Sequence, residues 1–259
     1  YQVAHNSQLI TFIDTPGHAA FEKMRSRGAN VADIAVLVVA IDDGIMPQTV
    51  EAIKHIQNAK VSLIVTVNKI DLPGIDKNVQ LAKIKKQLSD QKINLEEYGG
   101  DVPLVPLSAK TGEGVDKLLE MILLVAELHE IKGDPAQPPA GVVIEASLDK
   151  FKGPVATILV KNGTLKKGDQ IMVSGIKAKI RGMFDSSGKG VDKAGPSVPV
   201  EVLGLDKVPP VGATLGQDFA EIKEKELAQT LLGRLSQGEN KTLKVIIKAD
   251  KAGSLEAIE

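Results

Sequence analysis

The sequence contains no cysteine. Disulfides and thiolate metal sites are therefore excluded, and the composition fits a reducing compartment, so a cytoplasmic location is expected. Aromatic residues make up only 3% of the 259 positions, too few for a platform on which single-stranded bases could stack. No apolar run approaches the roughly 20 residues that a membrane-crossing helix needs, so no membrane partner is expected. The chain leads straight into a structured pattern, with no basic leader or cleavage site at its start. What is there is ordinary for a globular protein, 43% hydrophobic and 25% charged, at a length that suits two domains or slightly more. Charge is unevenly divided. Residues 1–135 carry 14 Lys and Arg against 18 Asp and Glu, whereas residues 136–259 carry 18 against 15.

The first half alternates strand and helix signals. Strands are predicted over residues 9–13, 34–40, 61–67 and 102–107, and helices over 19–29, 47–58, 79–88 and 114–130. Residues 34–40 are continuously apolar, as expected of a strand buried on both faces. Pro47 sits where the first turn of a helix tolerates proline. In the last helix Leu118, Leu119, Ile122, Val125 and Leu128 form the predicted inward stripe. Apolar strands alternating with helices imply a parallel sheet covered on both faces.

Residues 134–139, Asp-Pro-Ala-Gln-Pro-Pro, read as a linker. Short strands follow over 142–148, 155–160, 170–173, 178–183 and 198–202, separated by turns such as Asn162-Gly163, a spacing that suggests a closed β-barrel. Beyond residue 216 the chain turns helical, with Leu227, Leu231 and Leu235 on one face. A strand over 242–249 and the opening turn of a helix complete it.

Three polar motifs fall at successive strand ends, where open α/β sheets bind ligands. Asp14-Thr15-Pro16-Gly17-His18 offers a carboxylate able to hold Mg2+ through water. Its Gly17 has no side chain to keep its N–H from a phosphate. Asn68-Lys69-Ile70-Asp71 offers an acceptor pair for guanine's N1–H and 2-amino group, which adenine does not possess. The Lys69 stem can cover a base and Asn68 can bridge neighbouring loops. Ser108-Ala109-Lys110-Thr111-Gly112 can present backbone N–H groups to the guanine carbonyl.

At these residues the chain resembles the translational GTPases. Within that family, 21–29 (Phe-Glu-Lys-Met-Arg-Ser-Arg-Gly-Ala), 195–205 (Gly-Pro-Ser-Val-Pro-Val-Glu-Val-Leu-Gly-Leu) and 245–257 resemble bacterial translation initiation factors of type two. The resemblance implies an α/β P-loop-type GTPase domain (a parallel sheet, incomplete at its N-terminus), then an all-β barrel, a helix and the start of another α/β domain. The implied boundaries are 1–133 for the GTPase domain, 134–139 for a linker, 140–216 for the barrel, 217–240 for a helical linker and 241–259 for the third domain. It further implies a GTPase that promotes initiator tRNA binding to the small ribosomal subunit and subunit joining, using GTP/GDP and Mg2+. Asp14 would hold the ion, Gly17 would sense the γ-phosphate and His18 would orient the attacking water. The nucleotide-binding residues would be Asp14, Thr15, Pro16, Gly17, His18, Asn68, Lys69, Ile70, Asp71, Ser108, Ala109 and Lys110.

The family's phosphate-cradling Gly-x-x-x-x-Gly-Lys-[Ser/Thr] loop and its first switch threonine are not found in residues 1–259. These residues alone are therefore expected to bind guanine nucleotide weakly and to be inactive. The partners implied are the small ribosomal subunit and its RNA, with initiator tRNA held by a domain outside these residues. A monomer is expected. Two other readings stay open: an elongation or selenocysteine-specific factor, or a non-catalytic ribosome-binding scaffold. The scaffold reading draws on residues 140–216, which carry 11 Lys and Arg against 7 Asp and Glu.

Overall fold

The computed structural model describes residues 1–15 and 22–216. Pro16, Gly17 and His18 lie outside the described residues, as do the helix with Leu227, Leu231 and Leu235, the strand over 242–249 and the expected third domain. Two compact units separate, one spanning Val3–Lys132 and one comprising Tyr1–Gln2 together with the chain from Gly133 onward.

The first unit opens with a hairpin of β1 (Gln2–His5) and β2 (Gln8–Thr11). Its two turn residues, Asn6 and Ser7, both have positive φ, 49° and 63°, the geometry that matches the twist of paired strands. The strand predicted over 9–13 is therefore the second arm of a hairpin. It pairs with β1 and takes no part in the parallel ladder. Helix α1 (Glu22–Val31) follows, and then a three-stranded parallel sheet of β3 (Ile34–Ala40), β4 (Ser62–Asn68) and β5 (Leu104–Pro106), with β4 in the middle. Between the strands run α2 (Pro47–Ala59) and α3 (Lys77–Asp90), and α4 (Val115–Leu128) follows β5.

Alternation along β4 divides the core in two. Val65 and Val67 face one way and pack with Leu37, Val39, Ile53, Ile56, Ile84 and Leu88 beneath α2 and α3. Ile64 faces the other way and packs with Val105, Ile122 and Val125 beneath α4. Phe12 and Ile10 join that second cluster, so the hairpin contributes side chains to a sheet it does not pair with. Thr66, also buried, satisfies its hydroxyl by donating to the carbonyl of Val105 at 2.8 Å. Leu128 departs from the predicted stripe. It is 72% exposed, because the stripe's last member falls on the final residue of α4, where the core no longer covers it. Arg25 of α1 is buried and pairs with Glu51 of α2, whose carboxyl is held below its usual range chiefly by that guanidinium.

The second unit is a closed six-stranded barrel. Its strands are β6 (Ala140–Asp149), β7 (Gly153–Asn162), β9 (Gln170–Val173), β10 (Ile176–Phe184), β12 (Pro199–Leu205) and β13 (Thr214–Leu215), in the order β10-β12-β7-β6-β13-β9. A side ladder pairs β8 (Leu165–Lys166) with β11 (Lys193–Ala194). Inward residues such as Val143, Ile158, Val160, Val173, Ile180, Met183 and Val202 fill the interior. Gly204 marks a bulge in the β10–β12 pairing. Its φ is 107°, and a Cβ there would come 2.1 Å from the carbonyl oxygen of Lys179. The stretch 134–139 is fastened to the barrel turn. Asn162 Oδ1 accepts from the N–H of Asp134 at 2.7 Å, the N–H of Gly163 donates to the Asp134 carbonyl at 2.9 Å, and Thr164 Oγ1 donates to the Pro135 carbonyl at 2.9 Å.

Candidate functional site

Parallel register sets the site. Ala40 of β3 lies opposite Asn68 of β4, and Val67 lies opposite Pro106 of β5. Three loops therefore leave the same end of the sheet side by side: 41–46, 69–76 and 107–114. Backbone bonds continue beyond the ladders, from the N–H of Ile41 to the carbonyl of Asn68 at 2.9 Å and from that of Ile70 to Leu107 at 3.3 Å.

Asn68 ties two of these loops together. Its Oδ1 accepts from the N–H of Lys69 at 2.7 Å and from the N–H of Ala109 at 2.9 Å. Lys69 occupies a left-handed conformation, φ 67°, uncommon for a residue with a side chain. Its ammonium lies 2.9 Å from both carboxylate oxygens of Asp42 and 3.5 Å from Asp43. The lysine motif anticipated from sequence thus has an acidic partner that sequence reasoning passed over, because Asp42-Asp43-Gly44 reads as a plain strand-to-helix connection. Ile70 is buried in the core beneath α2 and α3, so its side chain anchors the loop.

Asp71 is half-buried and accepts from Ser108 Oγ at 2.6 Å. That hydrogen bond, with smaller contributions from the charges of Lys110 and Lys77, holds the Asp71 carboxyl below its usual range. At neutral pH it is an ionised, acceptor-only group with lone pairs to spare. Ser108 is fully buried and organises its own loop. Its Oγ accepts from the N–H of Thr111 at 3.2 Å, and its carbonyl accepts from the N–H of Gly112 at 2.9 Å. With the N–H of Ala109 taken by Asn68, the N–H of Lys110 has no partner among the described residues. Gly114 lets the loop close. Its φ is 79°, and a Cβ there would come 2.4 Å from the carbonyl oxygen of Pro106.

The first motif is described only through Asp14 and Thr15. Asp14 is exposed at the end of the hairpin strand's continuation. Thr15 Cγ2 lies 3.0 Å from where a Cβ on Gly28 would stand, which sets this turn close against α1. No group of three or more potential metal ligands occurs among the described residues.

Residues 1–127 match the family described as the Elongation factor Tu GTP binding domain, and residues 138–218 match Elongation factor G domain 2. Along its whole length the chain is 48% identical, over 278 residues, to translation initiation factor IF-2 of Desulforamulus reducens and to that of Clostridium novyi. The chain belongs to the translation initiation factor IF-2 family. It spans 28% of the length of the first IF-2 relative and 40% of the second. Among solved structures, GDP-bound aIF5B from Aeropyrum pernix is similar at 26% identity and a TM-score of 0.70, over 88% of this chain and 46% of that one. A bacterial selenocysteine-specific elongation factor shares the fold at 24% identity and a TM-score of 0.66, over 83% of this chain and 37% of that one. The architecture is accordingly that of the family, a GTPase domain followed by a β-barrel domain. No helix among the described residues is long and apolar enough to cross a membrane.

Proposed function

We propose that this chain is the nucleotide-reading and barrel portion of a cytoplasmic GTPase. The whole factor would promote initiator tRNA binding to the small ribosomal subunit and subunit joining, hydrolysing GTP on the ribosome. The observation that carries the reading is the Asp71 carboxylate, held ionised by Ser108 at the mouth formed by loops that Asn68 ties together. Such a group accepts the paired donors of guanine, and the unpartnered N–H of Lys110 supplies a donor toward the guanine carbonyl. Identity of 48% to factors named IF-2, over an alignment that covers the whole chain, favours initiation over the other translational GTPases. Residues 241–259 are assigned in this reading to the start of a third domain.

An exposed carboxylate at a strand end fits a hard cation bound through water, and Asp14 is proposed to hold Mg2+ in that way. When bound, the ion would neutralise phosphate charge. Gly17 and His18 keep the roles that the family resemblance gives them, phosphate sensing and water orientation. Positioning and charge stabilisation are the main requirements of phosphoryl transfer. Titrating the full-length factor with GDP, ADP and XDP by calorimetry tests the reading. GDP is expected to bind at least about 100-fold more tightly than ADP, because adenine would leave Asp71 unpaired. Equal affinities would remove it.

Ribosomal RNA is proposed as the partner of the barrel. Along β10, Lys177, Lys179 and Arg181 are exposed while Ala178 and Ile180 between them are buried. Neighbours in this stripe are about 6.6–6.8 Å apart along the strand. Lys179 and Arg181 share an open groove with Lys167 and Asp192. Nearby, Lys166 of β8 stands directly across from Lys193 of β11, a like-charge pairing that costs stability in isolation and suits an anionic partner. Changing Lys177, Lys179 and Arg181 together to Gln is expected to weaken binding to isolated small subunits. The slope of log K against log salt should become shallower by about two to three, one counterion release per lost phosphate contact. An unchanged slope would take this surface out of the interface.

A further inference from the structure

Lys69 is stretched between two fixed points. At its backbone end, the left-handed conformation is held by the hydrogen bond from its own N–H to Asn68 Oδ1 at 2.7 Å. At its head, the ammonium is gripped by both carboxylate oxygens of Asp42 at 2.9 Å, with Asp43 behind at 3.5 Å. The loop carrying Asp42 is itself braced. Ile41, directly before it, is buried, and its N–H is bonded to Asn68. The N–H of Gly44 donates back to the Ala40 carbonyl at 2.9 Å. Gln87 of α3 reaches over the loop, and its Oε1 accepts from the N–H of Ile45 at 3.2 Å. Gln87 sits so low that a Cβ on Gly44 would come 2.8 Å from that same oxygen, at a φ of 69° that already favours glycine.

We propose that Asp42 is a positioning residue for the nucleotide, anchoring the Lys69 ammonium so that the lysine's methylene stem is laid out in advance along the base read by Asp71. A free lysine would lose its rotamer freedom only on binding. A lysine already tethered has lost it in the folded protein, and the bound complex gains by the difference. Both ends of the pair shift in agreement: the hydrogen bond to Lys69 is the largest cause lowering the Asp42 carboxyl, and the hydrogen bond to Asp42 is the largest cause raising the Lys69 ammonium. The pair therefore stays charged through neutral pH. This role rests on the guanine-nucleotide reading of Asp71, but Asp42 touches no base-reading group and acts through Lys69 alone.

The test is release of N-methylanthraniloyl-GDP from the full-length factor, followed by stopped flow. Asp42→Asn is expected to release about five-fold faster than wild type, the effect of an exposed ion pair at the upper end of its usual range. Its preference for guanine over xanthine should be unchanged, and Asp42→Glu should restore slow release. In a Lys69→Met background, adding Asp42→Asn should change nothing further. Wild-type release in Asp42→Asn, or the same acceleration in the Lys69→Met background as in its absence, would overturn the role of Asp42 while leaving guanine binding in place. Wild-type protein that fails to bind GDP at all would overturn the reading of Asp71 and this role with it.

Discussion

Asparagine at position 71 is expected to lower affinity for GDP by about 100- to 10,000-fold and to transfer preference to xanthine nucleotides. Asp71 accepts one hydrogen bond from Ser108 and, being ionised, has lone pairs left for two donors on guanine. An amide at this position presents one oxygen and one NH2. With the Ser108 hydroxyl still donating to the oxygen, the NH2 turns toward the base, where it meets the N–H groups of guanine donor to donor. Two charge-assisted hydrogen bonds of about 1.5–3 kcal/mol each are lost, and the donors are left facing one another. Xanthine carries a carbonyl where guanine carries the amino group, so the same NH2 finds an acceptor. Competition titration of GDP against XDP on wild type and Asp71→Asn measures both halves of this result. An Asp71→Asn protein that keeps wild-type preference would show that the base is read elsewhere.

Removing the Asn68 side chain is expected to have the second largest effect, and to act on stability as well as on binding. Asn68→Ala withdraws the one acceptor shared by the N–H groups of Lys69 and Ala109. Those two groups sit on loops from adjacent strands, so the variant removes one of the ties between the loops, leaving the Ile70–Leu107 and Asp71–Ser108 bonds, and leaves two donors to find water. The expected cost is about 2 kcal/mol in the unfolding of the first unit, with GDP affinity reduced at least ten-fold because the backbone at Ala109 and Lys110 is no longer fixed to the strand end that carries Asn68. Asn68→Asp keeps the acceptor oxygen and should recover most of the stability. Denaturant unfolding alongside GDP titration checks the prediction. An Asn68→Ala protein as stable as wild type would mean that the loops are held by other bonds.

How much of this was open to sequence reasoning depended on whether the signal was local. Residues 34–40 are apolar without a break, and β3 forms over those same residues. Pro47 marks the first residue of α2 as expected from its missing N–H. The strand leading into Asn68 was placed to within a residue. The two-residue strands of the second unit have no such signal. Neither Leu165–Lys166 nor Thr214–Leu215 is long enough to show a period of two. The opening hairpin was missed for a related reason. Gln2–His5 is short and mixed in polarity, and Asn6-Ser7 lacks the glycine that usually announces such a turn.

The candidate site divides along the same line. Its residue types were legible as motifs, but their mutual contacts were not. That Asn68 would bridge two loops was a reasonable reading of a polar side chain at a strand end. That Asp42 would hold Lys69 required the register in which Ala40 stands beside Asn68, which no window of consecutive residues contains. The composition of 134–139, rich in proline, reads as a linker. In the fold its Asp134 is secured to Asn162 and Gly163 by bonds that span nearly thirty positions.

Strand β13 has only two residues, yet it joins β6 to β9 and is the last strand of the barrel to be synthesised. Until Thr214 and Leu215 leave the ribosome, β6 and β9 are open edges with unpaired backbone groups, the kind of surface on which strands from other chains add. Sealing the seam also joins residues as far apart as Gly141 and Leu215, a long-range closure that belongs late in folding. The barrel is therefore complete only once nearly all of its chain has been made, and a nascent chain halted shortly before residue 214 would carry those exposed edges for as long as the halt lasts.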